Sequence, residues 1–354
     1  MTNKINILGS GQTSMLAAIM LANRGYQVEI LDDKPIKQTH FALLRFKTKA
    51  IEEETGIKLE EVEIKKAIYF DGQIHNESNI KFDNLYSQKV TGKVQRRSIG
   101  NLGIGKRYIP PVDFFQQLEK KCEQLDINFR QIECIGLPAA TQETYYISTL
   151  PMPKLYKRVH DEEIKFDFEK VYVVEFNIEN CNVHQTIYYP CNSSLKQPAY
   201  RISIVGNNIK CEISEESMKE FHDYDVEFNP TTFRFQQLLE NLDTQIYESF
   251  GISIPEQLVE SAVNDCLYHG VDKVIKEQKF GKISPINEQL RHSIIYNLTK
   301  QFGIYSLGRF SCWRQIMMDD VVKDVKKIEN LIKLENLSGY EAARNMASRM
   351  VNEK

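Results

Sequence analysis

The sequence predicts an α/β fold, with a parallel sheet flanked by helices and an antiparallel sheet and further helices interleaved with it. Three observations carry that expectation. Residues 1–33 run as strand, glycine turn, helix and strand, and end on an acid. Two later strands, ending near Thr149 and Gly308, lead into turns that belong at the same sheet edge. From Ile164 the hydrophobic period changes from helical to alternating, as it does where strands follow one another without helices between them.

The opening unit is the most informative. Lys4-Ile5-Asn6-Ile7-Leu8 is a short apolar run that reads as a strand, and it stops at Gly9-Ser10-Gly11-Gln12-Thr13-Ser14. Met15, Leu16, Ala18, Ile19 and Leu21 follow at helical spacing; Gly25 closes the helix, and Val28-Glu29-Ile30-Leu31 leads to Asp32-Asp33. This order is the unit that binds an adenine dinucleotide. Gly9 permits the tight turn, and Gly11 lets the backbone approach a pyrophosphate where Gln12 and Thr13 open the helix. Asp32 is placed to accept hydrogen bonds from ribose hydroxyls. Ser14 stands where a third glycine is usual and is small enough for close helix–strand packing. A Rossmann-type domain is expected, and this unit alone admits NAD, NADP or FAD.

Composition narrows the class without naming it. The chain has 354 residues, enough for one large core or two joined ones, and its net charge of −3 gives no global reason to expect nucleic acid or a membrane surface. No long apolar segment and no leader pattern occurs, so a cytoplasmic location is expected. The seven cysteines include no C-x-x-C, which suits a reducing compartment. Cys181, His184 and Cys191 fit no usual zinc spacing, and no metal is expected.

Residues 40–58 mix His40, Arg45, Lys47 and Lys49 with Phe41, Leu43, Leu44 and Phe46, and Glu52-Glu53-Glu54 reads as a solvated helix face. Ala67 to Phe70, Asp71-Gly72 and Gln73 to His75 read as a hairpin. Residues 85–112 hold no acid but carry Lys89, Lys93, Arg96, Arg97, Lys106 and Arg107 among Gly100, Gly103 and Gly105. That segment reads as a basic, mobile loop, either balanced by acids elsewhere in space or forming a mouth for an anion or a nucleic-acid strand. Pro110-Pro111 open a helix through Leu125. Strands are expected at 127–129, 132–135 and 145–148, the last ending at Thr149-Leu150-Pro151. Strands from Ile164 to Ile213 form the antiparallel layer, and residues 214–266 are mostly helical. A strand from Val274, a helix from Pro285, a strand into Gly308-Arg309 and closing helices complete the chain, the last opening on a capping box at Ser338.

This layout resembles the FAD-binding proteins of the amine oxidase and UDP-galactopyranose mutase type. The resemblance runs through Gly9, Gly11, Ser14, Met15, Ala18, Leu21, Gly25, Val28 and Asp32 at the N-terminus. At the C-terminal end, Gly308-Arg309-Phe310-Ser311-Cys312-Trp313-Arg314-Gln315-Ile316-Met317-Met318-Asp319 is similar to the mutase segment G-R-L-G-T-Y-R-Y-L-D-M-D. It implies FAD as the cofactor, with Thr149 and Pro151 in a turn beside it and Gly308 and Arg309 at its pyrophosphate. The helix starting at Met318 and Asp319 would aim its positive end at the flavin ring. Pro198-Ala199-Tyr200-Arg201-Ile202 resembles the mutase strand whose arginine grips a diphosphate, which makes Arg201 the first choice for a substrate anion clamp, with a structural ion pair as its alternative. Lys279 or Lys282 and Arg314 are further candidates near the ring. The mutase's substrate tyrosine and aspartate fall at Gln315 and Met317 here, so its substrate is not implied.

The expectation is an FAD-dependent oxidoreductase acting on a C–N or C–H bond of a small anionic substrate. A mutase-like isomerase, a flavoprotein bound to a nucleic-acid-linked group, and a cofactor-binding partner module are the alternatives. The FAD-binding domain is expected at 1–60, 110–158 and 267–335, the substrate region at 61–109 and 159–266, and a terminal helix at 336–354.

Overall fold

The computed structural model describes residues 4–38, 40–94, 98–133, 144–159, 164–191, 196–222 and 230–338. Strand β1 (Lys4–Leu8), helix α1 (Gln12–Ala22) and β2 (Gln27–Asp32) are followed by α2 (Ala50–Thr55) and the long β3 (Glu60–Phe70), which turns back into β4 (Gln73–His75). Next come α3 (Ile80–Thr91), β5 (Gly103–Ile109), α4 (Phe114–Gln124), β6 (Asn128–Gln131), β7 (Thr144–Ser148) and α5 (Met152–Val159). Strands β8 (Phe168–Asn177), β9 (Val183–Tyr188), β10 (Ala199–Gly206) and β11 (Asn208–Ser214) precede helices α6 (Glu215–His222), α7 (Pro230–Phe250) and α8 (Glu256–His269). The described chain closes with β12 (Ile275–Ile283), α9 (Glu288–Phe302), β13 (Ile304–Ser306), α10 (Gly308–Ser311) and α11 (Met318–Ser338).

The first sheet has the order β13-β7-β1-β2-β6, and every pair in it is parallel. The chain leaves β1 for β2 on one side and later places β7 and β13 on the other. That reversal makes a topological switch point at β1, where open sheets of this kind collect ligands. Leu8 is level with Leu31 and with Ser148, and Ser148 with Ser306, so the carboxyl ends of four strands finish in line. Helix α1 has no polar side over its middle: Ser14 through Leu21 are all buried. Such a helix must be covered all round. One face packs on the sheet, and Phe114, Leu118 and Cys122 of α4, Ile51 of α2, and Val321, Val325 and Ile328 of α11 cover the rest. The opposite face of the sheet is closed by Leu155 and Tyr156 of α5, Ile294 and Leu298 of α9, and Trp313.

The second sheet follows β12-β8-β11-β10-β9-β3-β4, with β5 also paired to β3. Its pairs are antiparallel apart from β3 with β9. Alternation gives it two unlike faces. Tyr69, Ile187, Ile202, Ile204, Ile209 and Val174 form one, an apolar face packed against Leu238, Leu239 and Leu242 of α7. The other carries Lys66, Thr186, Arg201, Ser203, Lys210 and Glu212, aligned by register across four strands.

Several sequence expectations change. The acid-free segment 85–112 is not a loop throughout. Lys89 lies buried in α3 with its ammonium on the Gln197 carbonyl (2.6 Å), and Lys106 lies in β5 paired with Glu61 (2.5 Å). Arg96 and Arg97 fall outside the described residues. Only Glu53 of the acidic run is exposed; Glu54 is held by Arg24 (2.9 Å) and Lys326 (2.8 Å), which tie α2 to the turn after α1 and to α11. Helix α11 runs through Ser338, and the helix expected from the capping box at Ser338 lies in residues 339–354, outside the described set. Strand β6 forms where the first of the two strands was expected, and the second, expected at 132–135, falls partly in residues 134–143, which are likewise outside the described set. Among the described residues no helix is long and apolar enough to cross a membrane.

Candidate cofactor site and the neighbouring sheet face

The glycine turn is held by specific bonds. Gly9 donates its N–H to the Leu31 carbonyl (2.8 Å) and sits at φ +103°, a backbone region that favours glycine. A Cβ there would fall 2.6 Å from the Thr149 hydroxyl, so the strand-end turn after β7 presses directly on the turn after β1. Gly308, at φ +86°, is as tightly placed, since a Cβ on it would lie 2.8 Å from Cγ2 of Thr13. Three segments far apart in sequence therefore meet at Gly9, Thr149 and Gly308.

Ser14 now has a physical role. Thr149 spends its hydroxyl proton on the Leu8 carbonyl (3.1 Å), so the 2.6 Å contact between the Ser14 and Thr149 hydroxyls is a bond donated by Ser14. The serine locks α1 to the turn after β7, which a glycine at that position could not do. Gly11, in contrast, faces space: a Cβ on it would meet nothing within 4 Å. No side chain caps the helix that follows, and no acid lies in its first turn. Its amino end keeps the partial positive charge that attracts phosphate.

Asp32 is engaged within this turn. Its Oδ2 accepts both the N–H and the hydroxyl of Ser10, each at 2.7 Å, while Oδ1 takes only a 3.3 Å bond from the Lys34 N–H. The expected ribose acceptor thus first braces the turn, with one oxygen lightly used. Asp33 pairs with Lys154 of α5 (2.6 Å), and that bond holds its carboxyl below the usual range. Pro151 immediately precedes α5. Arg309 donates to the Gly281 carbonyl (3.3 Å). Asp319 is buried in the first turn of α11, where Oδ2 accepts the Lys47 N–H (2.9 Å) and Oδ1 has no hydrogen-bond partner among the described residues. Asp320 accepts the Met317 N–H (3.0 Å). The helix start at Met318 therefore carries two acids, which offset the bare positive end expected of it.

The three residues expected near the reacting centre, Arg201, Arg314 and Lys279, each contact another part of the protein. Arg201 is bound by Glu212 through Nε (2.9 Å) and Nη2 (2.6 Å), and the Tyr200 hydroxyl donates to the same carboxylate (2.5 Å). Burial pushes the Glu212 carboxyl up, but Arg201, Lys282 and Tyr200 outweigh burial and bring it to about 2. Arg201 is thus held in an ion pair with Glu212. Arg314 pairs with Asp324 of α11. Lys279 is exposed, with its ammonium over the Phe280 ring (5.6 Å). Gln315, where the mutase has a substrate tyrosine, donates to the Ile283 carbonyl (3.0 Å).

Sequence reasoning did not assemble what the polar sheet face presents. The passage at 40–47 crosses from that face to α11. Lys210 holds the Phe41 carbonyl (2.9 Å), Gln278 accepts the Phe41 N–H (3.2 Å), Arg45 donates to the Thr186 hydroxyl (2.5 Å), and Lys47 reaches Asp319. His40 is pushed down to about 4 by burial and by nearby Arg309, and Lys66 to about 8 by burial and by Arg45, Arg107 and Arg201. The only signals in the sequence were Arg45 beside apolar residues and the acid-free stretch that contains Arg107.

The two sheets and the three converging turns define an α/β fold with a Rossmann-type parallel sheet and an antiparallel sheet and helices interleaved with it. Solved structures bear this out at the level of fold. The chain is similar to PqsL, a probable FAD-dependent monooxygenase from Pseudomonas aeruginosa, at 12% identity and a TM-score of 0.51, covering 100% of this chain and 93% of that one. The same protein has been solved in complex with 2-aminobenzoylacetate, and that structure matches with a TM-score of 0.50. An oxidoreductase from Methanosarcina mazei matches at 11% identity and a TM-score of 0.52, over 92% of this chain and 100% of that chain. A flavin-dependent halogenase from Xanthomonas campestris matches at 9% identity and a TM-score of 0.50, over 99% of this chain and 75% of that one. No family model matches the sequence, and no curated protein matches it.

Proposed function

We propose that this protein is an FAD-dependent oxidoreductase that acts on a C–N or C–H bond of a small anionic substrate. The observation that carries the reading is the junction of Gly9, Thr149 and Gly308 beside the open, uncapped start of α1. That geometry suits a dinucleotide whose pyrophosphate rests on the N–H groups of Gln12 and Thr13. Asp32 would offer its lightly used Oδ1 to a ribose hydroxyl. The Oδ1 atoms of Asp33 and Asp319, both buried without a hydrogen-bond partner among the described residues, would accept further hydroxyls. Arg309 lies at the same edge. When bound, the flavin would supply the electron or hydride acceptor.

The chain's own contribution is position and charge. The 40–47 passage spans the gap between the polar face of the second sheet and α11, and so borders the space a substrate would enter. Glu212 fixes Arg201 as part of one wall. A substrate held there meets a field dominated by cations, which supports an anion, and the anionic compound bound to PqsL supports the same class. Because Lys89 and Lys106 are engaged within the protein, we favour a small anion over a nucleic-acid strand as the partner.

Purified protein should be yellow and should release FAD on denaturation; a colourless protein that takes up no added FAD overturns the proposal. Oxygen uptake on adding substrate marks net oxidation. Turnover that needs reduced flavin but consumes no stoichiometric oxidant assigns the isomerase alternative.

A further inference from the structure

Three cations on the polar face of the second sheet have no carboxylate partner. Arg45 enters from the 40–47 passage, Lys66 from β3 and Arg107 from β5, and among the described residues none of them makes an ion pair. Among the described residues, the acids on this face are Glu212, held by Arg201 and Tyr200, Glu175, paired with Lys210 (3.3 Å), and the exposed Glu60 at the far end of β3. Glu61 and Glu63, near Lys66 in sequence, belong to the other face of β3 by strand alternation. Burial and neighbouring positive charge lower the proton affinity of both Lys66 and Arg45, with Arg107 and Arg201 acting on each. Repulsion of this kind, offset only in part at Arg45 by Tyr188 and Glu212, destabilises a fold, and it is a common mark of a site shaped for a ligand of opposite charge.

The backbone beside the cluster leaves room. Gly103 is level with Lys66 and Gly105 with Ile64 across the β3–β5 pair. A Cβ on Gly103 would meet nothing within 4 Å, and one on Gly105 would first meet the Arg107 guanidinium at 3.2 Å. The missing side chain at Gly105 lets Arg107 fold back along its own strand. Thr186, level with Lys66 on β9, accepts from Arg45 and donates to Ser203 (3.1 Å), which fixes the arginine over the sheet. Val62, Ile64, Ile109 and Val205 close one side of this space with apolar surface.

We propose that Arg45, Lys66 and Arg107 form the subsite for the anionic end of the substrate, and that this end is a doubly charged group of phosphate-monoester type. The proposal rests on reading this face as the substrate side of a flavoenzyme. Two guanidinium forks and one ammonium point charge suit a tetrahedral group with three terminal oxygens. Three cations exceed what one carboxylate needs. Arg201 is the fixed wall of the subsite and not its clamp.

The test uses the protein as purified, with its flavin content read from the absorbance spectrum of every sample. Thermal unfolding is followed in inorganic phosphate, in malonate, and in chloride at matched ionic strength. The wild type is expected to gain stability in phosphate beyond chloride. Lys66→Met and Arg107→Met are each expected to melt higher than wild type in chloride, and to bind phosphate about tenfold or more weakly, the loss of one charge-assisted contact. Stabilisation by malonate but not phosphate overturns the phosphate assignment. A flavin-loaded wild type with no response to phosphate, or variants that keep the full response, overturns the subsite and leaves the flavin reading standing. Variants that melt lower than wild type with the phosphate response intact show these cations to be structural. A colourless protein that still responds to phosphate overturns the flavin reading instead.

Discussion

Replacing Gly9 with alanine tests the junction on which the cofactor reading depends. At φ +103° an alanine carries a backbone cost of about 1–3 kcal/mol. Its Cβ would also lie 2.6 Å from the Thr149 hydroxyl oxygen and 3.3 Å from Cδ2 of Leu150, so the neighbouring turn must move, which costs about 1–3 kcal/mol more. The expected loss is about 2–6 kcal/mol in urea unfolding, together with loss of flavin, because the displaced turn carries Thr149 away from Ser14. Thr149→Ala alone forfeits its bonds to Leu8 and Ser14, about 1 kcal/mol each. In the double variant the overlap with the hydroxyl is gone, and the total should fall below the sum of the singles by the overlap cost, about 1–3 kcal/mol. A Gly9→Ala protein within about 0.5 kcal/mol of wild type, or a double variant additive to about 0.5 kcal/mol, refutes the close approach of the two turns.

Glu212→Gln removes one half of a buried ion pair and leaves the Arg201 guanidinium uncompensated; a loss of about 3–5 kcal/mol is expected in denaturant titration. Glu212 titrates at about 2 in the fold against 4.5 as its ordinary value, so its share of stability is full above pH 4.5 and drains as pH falls toward 2. Acid titration of wild type against Glu212→Gln should show that loss in the wild type alone. Lys66 gives the same slope for the opposite reason, since the fold penalises its charged form where it favours that of Glu212. A base lowered from 10.5 to about 8 binds fewer protons folded than unfolded between those values, so stability should rise with pH there, by at most about 3 kcal/mol, and should stay flat in Lys66→Met. Phosphate affinity should fall over the same window as the ammonium discharges among Arg45, Arg107, Arg201 and Lys47. Asp32→Ala strips Ser10 of two acceptor bonds, and the protein should purify with markedly less flavin than wild type, read by absorbance.

Much of the first sheet could be read from the chain because its signals are local. The run from Lys4 to Asp32 carries strand, turn, helix and acid within one short stretch. The convergence of Thr149 and Gly308 followed from strand ends alone. The reason for Ser14 did not, since its partner Thr149 is distant in sequence. The partner of Arg201 was within reach: counting back from the turn at Gly206-Asn207 sets Glu212 opposite it in an antiparallel pair. The register was the missing step. For Arg45, Lys66 and Arg107 no local pattern exists. They meet only because β5 returns along β3 and the 40–47 passage lies over β9, and both are choices made by tertiary packing. The acid-free stretch misled for the same reason, as Glu61, the partner of Lys106, lies on another strand.

Helix α1 is finished early in synthesis, yet α11 supplies much of its cover and is the last helix described. Until Val321, Val325 and Ile328 have left the ribosome, a helix buried along its whole middle has one open flank. The first sheet is similarly incomplete until Ile304–Ser306 arrive to pair with β7. The nascent chain thus carries a greasy, half-roofed unit until α11 has been made, and the fold closes only then. Such a protein is a natural client for chaperones. A stop codon just ahead of Met318 would leave insoluble product, not an active fragment.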